Sequence, residues 1–254
     1  MVELEVFTPE QIERFRQDGF LVVREMYSPE EVREISDWTD EVANYPEVPG
    51  KYMMYFEKNQ KDGSRIICRI ENFVPYHEGF SRLITSTRMQ RAVSELLGAE
   101  AVLFKDKINF KLPGGDGFKE HQDVQAGWDT YANLHVTAMV AIDETNEANG
   151  SLEVIRGMHR NGLLGRQWAP LSEEDTGRTQ YRAIHCHPGD AVFFDSYAPH
   201  RSAPNRTDKS RRVLYITYNR LSEGDSRVQY YADKRASYPP DIERDPDREY
   251  RFKV

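Results

Sequence analysis

The chain has 254 residues, 39% hydrophobic and 30% charged, a globular composition long enough to bury a sizeable core in one domain, at most two. A formal net charge of −8, with no basic stripe interleaved with aromatics, argues against a nucleic-acid partner. The longest apolar runs, Ala138 to Ile142 and Ala191 to Phe194, are too short to span a bilayer, and the acidic start MVELEVFTPEQ is unlike a signal peptide, so a cytoplasmic protein that engages no membrane is expected.

Two helix starts open the chain. Thr8-Pro9-Glu10-Gln11 combines a capping Thr, Pro at the first helical position and Gln to complete a capping box, with Ile12 and Phe15 as the buried stripe and Asp18-Gly19 as the stop. Phe20 to Val23 reads as a short strand. Ser28-Pro29-Glu30-Glu31 repeats the capping device before Val32, Ile35, Trp38 and Val42 at helical spacing. A third helix is expected over Ser86 to Leu97, ending at Gly98.

From Ala101 the period shortens. Strand-like segments fall near Leu103 to Lys111, Asn133 to Ile142, Leu152 to Ile155, Tyr181 to His187, Ala191 to Asp195 and Arg212 to Asn219. Turn signals separate them at Pro113 to Gly117, Asn149-Gly150, Pro188-Gly189-Asp190 and Pro204-Asn205. Many short strands at close spacing suggest a sandwich or barrel. No repeat or low-complexity linker divides the chain, so one domain over 1–254 is expected. The charged, Tyr- and Pro-rich tail 222–254 has Tyr230, Tyr231 and Tyr238 to pack with. Cys68 and Cys186 form no CxxC pair and are expected as buried thiols.

The chemistry concentrates at Phe118-Lys-Glu-His121-Gln-Asp123. On a strand, residues i and i+2 share a face, so His121 and Asp123 can aim an imidazole and a carboxylate at one point. A third ligand is available from a distant segment at His200. Two His and one carboxylate on one face of an iron ion leave three positions for co-substrate and O2. An HxD pair alone is a weak signal. It gains from Arg211, eleven residues after His200, and from Ser202, because a dicarboxylate co-substrate needs a guanidinium that takes its distal carboxylate bidentately.

Lys107 to Gly115, His121-Gln-Asp123, Asn149 to His159, Pro188 to Asp195 and the run from His200 through Arg211-Arg-Val-Leu-Tyr together resemble the phytanoyl-CoA dioxygenase family, over roughly Phe7 to Asn219. The resemblance implies a mostly β chain with packed helices, a double-stranded β-helix (jelly-roll, cupin-like). It implies iron(II) at His121, Asp123 and His200, with 2-oxoglutarate held by Arg211 and Ser202. Lys107, Asn109 and Thr137 match positions near the co-substrate in relatives, and Arg69 falls where relatives place a cationic pocket residue. The implied reaction is hydroxylation by O2 coupled to decarboxylation of 2-oxoglutarate. Retention of Asp123 favours hydroxylation, since related halogenases lose the carboxylate to make room for halide.

The substrate expected is a small polar metabolite, an aminoalkylphosphonate or a quaternary-ammonium zwitterion. Arg69, Asn72, Lys107 and Asn109 would serve its anionic end, Trp128 and Tyr131 would offer an aromatic face to an ammonium, and Gln125 lies on the same loop. Two competing functions stay open: a metal- or ligand-binding β-helix without catalysis, and an oxygenase acting on an acyl-CoA or natural product. A different cupin-like metalloenzyme would leave Arg211 and Ser202 without a role. His185 and His187 are expected at the surface, His159 in a structural turn, and His135 on a central strand, alternating with Thr137, with pocket contact as the lesser reading. The oligomeric state is not legible.

Overall fold

A computed structural model describes residues 5–250; the first four residues of the acidic start and the last four of the tail lie outside them. The chain runs α1 (Pro9–Asp18), β1 (Phe20–Val23), α2 (Pro29–Ala43), β2 (Met53–Lys58), β3 (Arg65–Glu71), α3 (Glu78–Ile84), α4 (Thr87–Leu97), β4 (Ala101–Lys111), β5 (Phe118–His121), β6 (His135–Ala141), β7 (Leu152–Val154), β8 (Arg182–Ile184), β9 (Ala191–Asp195), β10 (His200–Ser202), β11 (Arg211–Arg220) and α5 (Arg227–Ser237), with short 3-10 turns between.

Both anticipated capping boxes form. Thr8 and Gln11 exchange side-chain and backbone hydrogen bonds at the start of α1, and Ser28 and Glu31 do so at α2. Gly19 ends α1 at φ 80°, a left-handed conformation that glycine adopts without strain.

Seven strands form one antiparallel sheet in the order β1-β9-β6-β11-β4-β3-β2, and four form a second in the order β5-β10-β7-β8. Strand alternation divides the large sheet into two chemistries. Val136, Ala138 and Val140 of β6, Leu214, Ile216 and Tyr218 of β11, and Ile108 and Phe110 of β4 face the helices and build the main core with Phe15, Ile35, Phe80, Met89 and Val93. The opposite face carries Thr137 and Met139, Arg211, Val213 and Tyr215, and Lys107, Asn109 and Lys111. It meets the small sheet, with Met139, Val213 and Phe194 packed on Leu152 and Val154. Of the polar side chains on this inner face, Thr137, Asn109, Lys111 and Arg211 are buried and Lys107 is half-buried, which makes the space between the sheets a candidate ligand site.

Strands and helices not anticipated complete the frame. β2 and β3 form a hairpin that widens the large sheet. Met53, Met54 and Tyr55 are buried in succession because both faces of β2 are covered, which erases the alternation that marks a strand in sequence. The tail supplies α5, whose Tyr230 and Tyr231 pack with Met53, Tyr55, Phe104 and Trp128. Its Arg227 pairs with buried Asp106 at 2.5 Å. The segment around Tyr181 to His187 yields only the three-residue β8, with Cys186 adding a single bridge to Thr145. Cys186 is buried and Cys68 half-buried, both as thiols.

Candidate metal and co-substrate site

β5 ends at His121, Gln122 stays extended, and Asp123 opens a 3-10 turn. The two-residue alternation therefore reaches Asp123 although the strand has stopped. His200 lies directly opposite His121 across the β10–β5 ladder. One ligand atom from each of His121, Asp123 and His200 lies within 4.8 Å of the others, and the two imidazole centroids are 4.2 Å apart.

Each ring is aimed from behind. His121 Nδ1 lies 2.7 Å from the Lys119 carbonyl oxygen, and His200 Nδ1 lies 3.0 Å from that of Ala198. A carbonyl only accepts, so each Nδ1 carries the hydrogen and donates, leaving the Nε2 lone pair for a metal. Burial, reinforced by His200, brings His121 down to about 3, and burial also lowers His200. Burial would raise the Asp123 carboxyl, but His200, Lys107 and His121 hold it below its ordinary value. Two neutral imidazoles and one carboxylate are the protonation states a divalent ion requires, and this donor set fits iron(II) with one face open.

A second cluster lies along β4 and β11. Arg211, 2% exposed, donates from Nη2 to the Gly150 carbonyl at 2.6 Å, while its buried Nε has no hydrogen-bond partner among the described residues. Burial lowers its pKa, with Tyr215 opposing. Lys111 donates to Ser202 Oγ at 2.7 Å and to the Ala203 carbonyl; burial, then repulsion from Arg211, brings its ammonium down to about 6. Ser151 Oγ and Asn109 Oδ1 are buried beside these strands without partners among the described residues. Two cations and several unused polar atoms, with no carboxylate in ion-pair reach among the described residues, fit a dianionic co-substrate. Thr137 sits on the same inner face, its hydroxyl 2.9 Å from that of Thr217. Lys111 and Ser151 were missed in sequence. The alternation Lys105, Lys107, Asn109, Lys111 along β4 was the available signal for the first.

The expected substrate residues separate. Arg69 is buried, lies 3.0 Å from Glu71 through Nε, and sits over the Tyr55 ring. Lys107 places Nζ 4.5 Å from the Tyr215 ring centroid, and burial, then Lys105, pulls it down to about 7. Trp128 is buried against Phe104 and His135, and the cation over its ring is this chain's own Lys105 at 5.2 Å.

Three expectations need correction. Gln125 is fully buried and committed to backbone: Nε2 donates to the Arg166 and Ala169 carbonyls at 2.8 Å, and Oε1 accepts from Gln122 N. It clamps a loop, and no donor or acceptor on it is left for a ligand. Asn72 accepts from Arg227 Nη2 at 2.9 Å, and Tyr131 donates to Asp233 at 2.7 Å. Both anchor α5, and neither lines the cavity.

That cavity, about 740 Å³, has His121, Arg69, Lys111, Phe118 and Tyr55 in its wall and Trp168, Tyr238 and Arg244 near its mouth. Its lining takes in His121 of the metal cluster and Lys111 of the inner face of the large sheet. The remaining histidines are accounted for elsewhere. His185 and His187 are exposed, His159 contacts the Arg16 carbonyl, and His77 caps α3.

The profile of the phytanoyl-CoA dioxygenase family matches residues 15–213, and the chain belongs to that family. It is 41% identical to the 2-aminoethylphosphonate dioxygenase of an uncultured bacterium, HF130_AEPn_1, over 96% of this chain and 94% of that protein. It is 38% identical to the methylphosphonate hydroxylase of Gimesia maris, over 91% and 88% of the two chains. Among solved structures, EctD from S. alaskensis with 2-oxoglutarate and 5-hydroxyectoine aligns with a TM-score of 0.76 at 23% identity, covering 88% of this chain and 79% of that one, a likeness of fold. The double-stranded β-helix expected from the sequence is thus the fold of the chain. No described helix is long and apolar enough to cross a membrane.

Proposed function

We propose that this member of the phytanoyl-CoA dioxygenase family is an iron(II)- and 2-oxoglutarate-dependent dioxygenase that hydroxylates a small phosphonate, an aminoalkylphosphonate first of all. His121, Asp123 and His200 would hold the iron, and Arg211 with Lys111, Ser202 and Ser151 the distal carboxylate of 2-oxoglutarate. Bound iron, 2-oxoglutarate and O2 supply conversion of a C–H to a C–OH with release of succinate and CO2. The chain's own residues orient and exclude. The Lys119 and Ala198 carbonyls fix the two imidazoles, Arg211 sets where the co-substrate ends, and Phe194, 5.0 Å from the His200 ring, keeps that side dry. The anticipated cytoplasmic location and the remaining site assignments belong to this proposal.

The observation that carries the substrate class is charge. Among the described residues, Arg69, Lys105 and Lys234 each lie within 4 Å of the one Glu71 carboxylate, and Lys107 and Lys105 act on Asp123 of the metal cluster. Basic side chains clustered beside the metal ligands favour an anionic substrate group, and a phosphonate provides one. An acyl-CoA would need a long apolar groove, and the cavity wall is charged and aromatic instead. The relatives named for phosphonates support the same class.

The test is succinate release with iron(II) and 2-oxoglutarate, comparing 2-aminoethylphosphonate, methylphosphonate, a quaternary-ammonium acid and an acyl-CoA, with product mass recorded. Phosphonate-dependent succinate and a product heavier by one oxygen are expected. Coupling to the acyl-CoA alone would remove the substrate assignment and leave the metal site in place.

A further inference from the structure

α5, a helix past the end of the family profile at residue 213, closes a buried aromatic cluster of Phe104, Trp128, Tyr230 and Tyr231. The construction of that cluster begins with an irregularity in β4. The β11–β4 register pairs Thr217 with Lys105 but Tyr218 with Leu103, so Phe104 is an extra residue. A bulge of this kind lets two consecutive side chains lean to one face. Phe104 joins Trp128, Tyr230 and Tyr231, while Lys105 Nζ lies 5.2 Å from the Trp128 ring and 5.5 Å from the Tyr230 ring.

Glu71, with no exposed surface, then gathers three cations: Lys234 at 2.5 Å, Arg69 at 3.0 Å and Lys105 at 3.7 Å. Burial would raise the Glu71 carboxyl, but Lys105, Lys234 and Arg69 hold it far below its ordinary value. Burial lowers Lys234 well below its ordinary value and brings Lys107 down to about 7, so an anion bound beside them would favour their charged forms.

His135 borders the same cluster. It is 1% exposed, its ring is 4.4 Å from Phe104 and 5.3 Å from Trp128, and both ring nitrogens lack hydrogen-bond partners among the described residues. Burial holds it neutral, down to about 3, so it keeps one N–H to donate. A buried imidazole with no partner is costly unless a ligand completes it.

Building on the phosphonate assignment above, we propose that Lys105, His135 and Lys234 form the receptor for the substrate's phosphonate group, with Glu71 as the positioning residue that holds the cations apart. The selectivity for a dianion would then come in part from α5. The charge of the receptor matches two negative charges on one small group, and its aromatic walls leave little room for water to screen them.

Calorimetric titration without O2, on protein loaded with iron(II) and 2-oxoglutarate, tests this with 2-aminoethylphosphonate and its carboxylate counterpart β-alanine. The wild type should bind the phosphonate far more tightly than β-alanine. Lys234→Met and His135→Phe should each weaken the phosphonate roughly tenfold to a hundredfold and leave the 2-oxoglutarate Kd unchanged. Lys234→Arg should restore most of the loss. His135→Phe breaks no described hydrogen bond, so it carries the test should Lys234→Met fold poorly. Unchanged phosphonate affinity in both variants overturns the receptor, and so does an equal loss for β-alanine and the phosphonate. A wild type that binds no phosphonate, yet binds a phosphate monoester in a manner lost in the variants, sustains the receptor and refutes the phosphonate assignment. A wild type that binds no dianion refutes the receptor.

Discussion

Arg211 and Lys111 are directly opposed residues of the β11–β4 ladder, and their charged ends meet at the same Gly150 carbonyl, at 2.6 and 3.5 Å. Two cations on one neutral oxygen repel each other; burial lowers both, and for Lys111 repulsion from Arg211 adds to it. Gly150 makes the meeting possible. At φ 76° a Cβ there would sit 2.0 Å from the Ala203 carbonyl oxygen and 2.9 Å from Lys111 Nζ. A bound carboxylate would relieve the repulsion, in keeping with the 2-oxoglutarate site proposed above.

Arg211→Ala should weaken 2-oxoglutarate by about 2–5 kcal/mol, the usual loss when a buried charge partner is removed, with substrate affinity changed far less. Arg212 points the opposite way and binds Asp143, Asp40 and Ser36 on the helix side. Arg212→Ala should therefore lower the melting temperature and spare the 2-oxoglutarate Kd. The reverse pattern in titrations of the two variants would contradict this assignment of faces.

His200→Ala should abolish the metal-to-ligand charge-transfer band that appears when iron(II) and 2-oxoglutarate are added together without O2. Circular dichroism should stay close to wild type, because the imidazole's described hydrogen bond is the one to Ala198. A full-strength band in the variant would remove His200 from the ligand set.

His135 gives a pH prediction with a definite sign. Its folded pKa, about 3, lies below the ordinary 6.5, so between these values the unfolded chain binds a proton that the folded chain refuses. Stability is therefore lost as pH falls through that window, at up to about 1.4 kcal/mol per pH unit. Denaturant titrations of metal-free protein at pH 7, 6 and 5 should show a shallower decline in His135→Phe by about that slope. Equal slopes would mean that His135 is protonated in the fold.

Gln125→Ala should act on the loop and not on the substrate. It removes hydrogen bonds to the Arg166 and Ala169 carbonyls and to Gln122 N, a loss of about 1–3 kcal/mol for each buried group left unpaired. Proteolysis near Trp168, at the cavity mouth, should accelerate in the variant. A normal cleavage rate combined with a large rise in substrate KM would instead return Gln125 to the binding site.

Local patterns alone decided a good part of this protein. The capping boxes at Thr8 and Ser28 satisfy backbone groups within a few residues, and both helices start where those residues place them. The HxD spacing works because the backbone stays extended through Gln122, so His121 and Asp123 converge although the strand stops between them. Arg211 was picked out by its spacing after His200 and by the family resemblance, and the structure turns it to the face of β11 opposite Arg212. What only the tertiary structure decided is which distant groups share a space. Asn72, Gln125 and Tyr131 are polar residues near the motif in sequence, yet their hydrogen bonds are taken by Arg227, by a loop backbone and by Asp233. Lys234, more than thirty residues past His200, reaches Glu71 because Tyr230 and Tyr231 pack α5 onto the hairpin and the bulged β4. The bulge at Phe104 turns two neighbouring side chains to one face, which no strict period of two foretells. Periodicity and capping act over a few residues and can be read along a chain, whereas the balance of buried charges depends on which surfaces the folded chain brings together.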